Sequence, residues 1–169
     1  MKKVFIIALC CISLVFAACK KEKPYEKFIG SYEGSALLKG TVSFDVVGVG
    51  SFEQDIENTF PMDITLSAGS ADDKLVMTYT SEDQSETFTA TGTITDDQVD
   101  FDPVQIKQEI EGSLVSLTLD MEGTLTGNIF ALSGTVDGEG NITMMEYPLP
   151  IPFGITGTIS ANLDKLVVE

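Results

Sequence analysis

The chain has 169 residues, 26 acidic against 10 lysines, no His, Arg or Trp, and a formal net charge of −16. A surface so acidic repels nucleic acid, which proteins grip by neutralising phosphates with Lys and Arg. Without imidazole or guanidinium, the usual general bases, imidazole metal sites and bidentate anion clamps are missing as well. Carboxylate-only chemistry needs none of these, but no paired-carboxylate motif stands out, so neither an enzyme nor a cofactor is expected.

Met1-Lys2-Lys3 is a short basic start, and Val4–Ala17 is an apolar run of 14 residues. A membrane-spanning helix needs about 20. A basic start, a short apolar stretch and small residues before a cut define a secretory signal. Phe16-Ala17-Ala18-Cys19 resembles a lipobox, departing from it at Phe16, where leucine is usual. Residues 1–18 are therefore expected to be removed. Cys19 then carries lipid, with acyl chains such as palmitate holding the protein to a membrane. Cys10 and Cys11 fall in the discarded segment, so the domain has no thiol for a disulfide, a metal site or a nucleophile. Residues 19–27 read as a tether, with Pro24 breaking any helix. Its lysines (Lys20, Lys21, Lys23, Lys27) favour anionic headgroups by roughly 1 kcal/mol each. Lys20 is not the aspartate of an inner-membrane retention signal, which favours the outer membrane and leaves its face open.

Residues 28–169 read as one domain, with 24 acids against Lys39, Lys74, Lys107 and Lys165, a net −20 that serves solubility. Its hydrophobic pattern has period two. Gly30-Ser31-Tyr32-Glu33-Gly34-Ser35 opens the first strand; Met62, Ile64 and Leu66 share one face, then Leu75, Met77 and Tyr79. Phe88, Ala90, Gly92 and Ile94 continue the series, opposite a row of threonines. Val115, Leu117, Leu119, Met121, Gly123 and Leu125 come next, and the odd residues of 153–163 close it. Such alternation predicts antiparallel sheet with one wet side. Turns are predicted at 69–73, 95–97, 127–128 and 137–141 from their Gly, Asp and Asn content. Residues 103–111 read equally as a short helix capped by Asp102-Pro103 or as a strand carrying Val104, Ile106 and Ile110. Glycine recurs before threonine at Gly40, Gly92, Gly123, Gly134 and Gly157. Glycines inside strands lose packing, and sharp coiling into a closed barrel accounts for them.

The signal with Cys19, the Gly30–Ser35 opening, the Thr-rich amphipathic strands and the Gly157-Thr158-Ile159-Ser160 ending together resemble the calycin-like (lipocalin-like) β-barrel lipoproteins of Gram-negative anaerobes. The likeness covers 28–169 and lacks the lipocalin Gly-x-Trp signature, since there is no Trp. It implies an antiparallel up-and-down barrel of about eight to ten strands with an apolar interior, and no established activity. Met62, Met77, Leu119 and Met121 are the expected ligand lining, with Tyr32 or Tyr79 orienting a polar group. Asp96, Asp97, Asp100 and Asp102 are weak candidates for Ca²⁺ and read better as a solvated turn, so no metal is expected. Asp137-x-Glu139-x-Asn141 resembles the start of a calcium loop but reads better as a Gly-rich hairpin turn. The prolines of 148–153 predict an edge strand or a strap closing one barrel end.

These features point to a membrane-anchored binding module, its barrel taking a small apolar ligand. The alternative is a filled barrel that docks an envelope protein through its loops or the proline segment 148–153. Cys19→Ala is expected to block processing and release the protein from membranes, as membrane fractionation and N-terminal mass measurement would register.

Overall fold

The computed structural model describes residues 23–81, 87–110, 113–144 and 147–167. The lipobox and Cys19 lie outside the described residues. Nine antiparallel strands run in chain order: β1 (Gly30–Val46), β2 (Gly50–Ala68), β3 (Lys74–Thr80), β4 (Thr87–Thr95), β5 (Gln98–Phe101), β6 (Val104–Ile110), β7 (Ser113–Thr126), β8 (Ile129–Met144) and β9 (Tyr147–Lys165). Each pairs with its neighbour in sequence except β5 with β6, and β9 returns to β1. A pairing of β5 with β7 closes the sheet into a barrel-like ring. Among the described residues there is no helix. The helix reading of 103–111 is thereby corrected: β6 is a strand, because its whole length forms a ladder with β7 from Val104↔Leu119 to Ile110↔Ser113.

The ring closes over only half its height. β5 pairs on one side with β4 (Gly92↔Phe101 to Thr95↔Gln98) and on the other with β7 (Gln98↔Thr124 to Asp100↔Glu122). From Asp100 to Val104 the chain takes four steps while β7 takes three, from Glu122 to Leu119. That extra residue is a bulge, which bends a strand and re-aims the side chains beyond it. Inward positions change from odd (Val99, Phe101) to even (Val104, Ile106) across it. The Asp102 amide makes the last link to β4, donating to the Thr91 carbonyl at 2.8 Å; Pro103 has no amide to give. Beyond that point no ladder joins β4 to β6 among the described residues. β2 likewise pairs with β3 only from Asp63 to Ala68, so among the described residues Gly50–Met62 is held by β1 alone. The molecule is a ring at one end and an open six-stranded trough, β2-β1-β9-β8-β7-β6, at the other.

The closed end is packed solid. Phe28, Tyr32 and Phe130 meet there, with Phe28 and Phe130 edge-to-face at 6.4 Å and Tyr32 tilted on Phe130 at 5.7 Å. The Tyr32 hydroxyl donates to the Phe28 carbonyl at 2.7 Å, so the buried phenol is satisfied. Residues 23–27, expected to be tether, fold onto this end: Lys23 pairs with Asp72 at 3.0 Å and Lys27 with Asp97 at 2.5 Å. Both pairs are exposed and contribute little energy; Phe28, fully buried, supplies the grip.

The inward glycines have two causes. At Gly157 a Cβ would meet the Lys39 carbonyl at 2.5 Å, and Gly40 is its partner across the β1–β9 ladder. At Gly134 a Cβ would strike the Asp120 carbonyl. These backbones approach too closely for side chains, as tightly coiled strands require. At Gly92 and Gly123 the space is taken by rings instead: Phe101, beside Val99, fills the first and Phe130 the second. The turn expected at 137–141 is corrected. That stretch lies inside β8, with Asp137, Glu139 and Asn141 outward; Leu117 occupies the space a Gly138 side chain would take. The prolines of 148–153 are corrected in part: they belong to β9 itself, not to a strap. Pro152 pairs with Asn141, while β1 joins β9 only from Phe153 onward, so the segment is an edge.

Gly123→Ala is expected to push Phe130 out of the Phe28–Tyr32 cluster and lower unfolding free energy by about 1–3 kcal/mol. Adding Phe130→Leu relieves the overlap, so urea titrations of the double variant should show less than the sum of the two losses.

Candidate ligand-binding cavity

Where the ring opens into the trough, the core does not fill the space. A cavity of about 420 Å³ lies there. Its back wall is Leu38 of β1, Ile159 of β9 and Val136 of β8, which share a face because each stands at an inward position of its strand. Leu117, Leu119 and Met121 of β7 form one flank; Phe60 and Met62 of β2 form the other. The last two sides are Tyr79 and Phe88, stacked at 5.0 Å across the β3–β4 ladder, and Ile106 on β6. Thr87 and Lys107 stand at the rim, on the two banks of the gap between β4 and β6.

Among the described residues the lining holds no carboxylate, and its polar side chains are Tyr79, Thr87 and Lys107. Among the described residues no buried side-chain nitrogen or oxygen lacks a hydrogen-bond partner. The wall thus makes no demand for a polar ligand in its depth. Pockets for small molecules have this character: apolar surface with few polar groups, in the mouths of β-barrels among other places. Above the cavity the trough stays apolar. Phe44 and Phe153 pair at 6.3 Å, and Val42, Ile56 and Ile155 remain half-buried.

Of the residues expected to line a ligand site, Met62, Leu119, Met121 and Tyr79 border the cavity. Met77 and Tyr32 do not; both are buried in the packed half, Met77 opposite Leu66 and Tyr32 in the aromatic cluster. The room at Gly92 and Gly123 goes to Phe101 and Phe130, not to the cavity. Leu38, Phe60 and Val136 were not singled out by sequence, and Ile159 was placed on a strand face without being assigned to the ligand lining. Carrying the parity set by Tyr32 and Met62 along β1 and β2 places Leu38 and Phe60 inward, but Leu37-Leu38 and Asn58-Thr59 interrupt the alternation that would advertise it.

The aspartates do not converge. Asp96 and Asp97 form the β4–β5 turn, Asp96 with φ 56° and Asp97 holding Lys27. Asp100 faces outward opposite Glu122, and exposed Asp102 sits at the bulge. Among the described residues no group of three or more His, Cys, Asp or Glu side chains is placed to hold a metal ion.

No family model and no curated protein matches the chain. Among solved structures it is similar to the monomeric form of the M. tuberculosis PknI sensor domain, at 10% identity and a TM-score of 0.36, over 83% of this chain and 93% of that one. The ywiB protein of Bacillus subtilis gives 9% and 0.32, over 80% and 94%. A Bacteroides ovatus structure of unknown function gives 9% and 0.28, over 84% of this chain and 50% of that one. Likenesses this weak assign this chain neither a fold family nor a function.

Burial pushes the Tyr32 phenol up to about 12. A phenol raised from about 10 keeps its proton longer in the folded state than in the unfolded one, so its contribution is whole below pH 10 and is lost as pH rises toward 12. Tyr32→Phe is expected to cost on the order of 1 kcal/mol at neutral pH through the lost bond to Phe28. The gap between wild type and variant should close between pH 10 and 12 in pH-resolved urea titrations.

Proposed function

We propose that this chain is a lipid-anchored binding module that takes one small apolar molecule into the open half of its barrel. The observation that carries the reading is the unfilled cavity of about 420 Å³ at the floor of an apolar trough, within the size range of small-molecule pockets. The ring topology and apolar interior agree with the resemblance to calycin-like lipoproteins, and that family assignment belongs to the proposal. Anchoring rests on the lipobox. Cys19 precedes the docked residue Lys23 by four positions, at most about 14 Å of extended chain. Lys23 and Lys27 are bound at the closed end, so a lipid on Cys19 sets that end toward the membrane and the mouth away from it. Delivery to or from a soluble donor suits this orientation better than extraction from the bilayer that holds the anchor. The outer membrane is the proposed site.

One observation favours a docking protein instead. The β1–β2 tip exposes Val47 at 84%, Val49 at 60% and Phe52 at 51%, an apolar patch of the kind that meets partners. The two readings separate by titration. A chain starting at Lys20 keeps every described residue, including the Phe28 core contact and the Lys23–Asp72 pair. That chain is expected to bind Nile red with saturation at micromolar concentration, and hexadecanol should displace it. Ile106→Trp, a half-buried edge-strand position facing the cavity, should weaken both about tenfold or more without lowering the melting temperature. No saturable binding in wild type would leave the docking reading.

A further inference from the structure

Among the described residues Lys107 is the only cation on the cavity, in a barrel that carries four lysines and a net −20. The other three have work elsewhere: Lys39 pairs with Glu57 at 3.1 Å, Lys74 donates to the Thr93 hydroxyl at 2.6 Å, and Lys165 donates to the Lys27 carbonyl at the closed end. Among the described residues no carboxylate is within ion-pair distance of Lys107. It is exposed on β6, one bank of the gap that opens at Pro103; the exposed hydroxyl residue Thr87 starts the other bank. Among the described residues the gap therefore offers two hydrogen-bond donors at its rim, with apolar surface and the Tyr79 ring behind them.

We infer that the bound molecule is a single-chain amphiphile with an anionic head, its tail in the cavity and its head in the β4–β6 gap between Lys107 and Thr87. The inference rests on the cavity reading and adds the class of ligand. The acidic surface as a whole opposes an anion, but at physiological salt that field is screened over about 8 Å, whereas the rim lysine acts by contact. A cationic head would sit beside Lys107, with no carboxylate among the described lining residues to receive it. A neutral head would leave the lysine without a role in binding.

The test compares hexadecanoate, hexadecanol and hexadecyltrimethylammonium as competitors for Nile red, each below its micellar concentration, on the chain starting at Lys20 and its Lys107→Gln variant. The expected result is a preference of about three- to tenfold for the acid over the alcohol, the size of a rim-exposed charge contact. Lys107→Gln should abolish that preference and leave hexadecanol unchanged. Raising the salt to 0.5 M, at which the Debye length falls to about 4 Å, should shrink it. If the alcohol binds as well as the acid, if the ammonium binds more tightly than either, or if the preference survives Lys107→Gln, the anionic head is wrong while the cavity stands. If none of the three binds, the cavity reading fails and takes this one with it.

Discussion

The Asp102 amide gives its hydrogen to Thr91, and Pro103 behind it has none to give. At that point a strand that had two neighbours is left with one. The extra residue between Asp100 and Val104 lets β6 stay in register with β7 while it bends away from β4. Without the bulge, β5 and β6 would be one straight strand, its odd positions inward throughout. Lys107 would then face the core and Ile106 the solvent. The break thus performs two tasks: it opens the barrel wall, and it keeps apolar side chains on the inner face of the bank it creates.

An opened wall must be held by the part that remains closed. Phe28, Tyr32 and Phe130 fill that end, and backbone bonds outside the ladders knit it together. Ile94 donates to Asp73, Leu125 to Asp97, and Leu166 to Ser31, each at 2.8 Å. The glycines belong to the same economy of space. Gly40 and Gly157 let β1 and β9 coil tightly, and Gly92 and Gly123 admit rings that would otherwise crowd the ring's centre. A packed end and a hollow end result from where these small residues stand along each strand.

Much of this was legible in the sequence because the period-two pattern is local. Every strand face assigned from alternation, from Met62-Ile64-Leu66 to Leu163, is the inward face in the structure. What failed depended on partners far along the chain. Residues 103–111 have no local preference, and only the ladder with β7 makes Val104–Ile110 a strand. The glycines of 137–141 look like a turn, yet Gly138 is needed where Leu117 fills its place from the next strand. Met77 and Tyr32 match the composition of a ligand lining, and nothing local tells a side chain above the cavity floor from one below it. Lys107 went unremarked as a site residue for a related reason: its place at the rim comes from the parity change at the bulge, which no alternation reveals.

The central claim is a barrel closed at one end only, and amide hydrogen exchange on the chain starting at Lys20 tests it most directly. Amides of Ile94, Leu125 and Leu166, bonded across the closed end, should exchange only through near-global unfolding. Every second amide in 51–59, on the side of β2 that β1 does not cover, should exchange orders of magnitude faster under the same conditions. Equal protection of 51–59 and of the closed-end amides would mean that the wall is continuous over its whole height, and the open-mouthed account would be wrong.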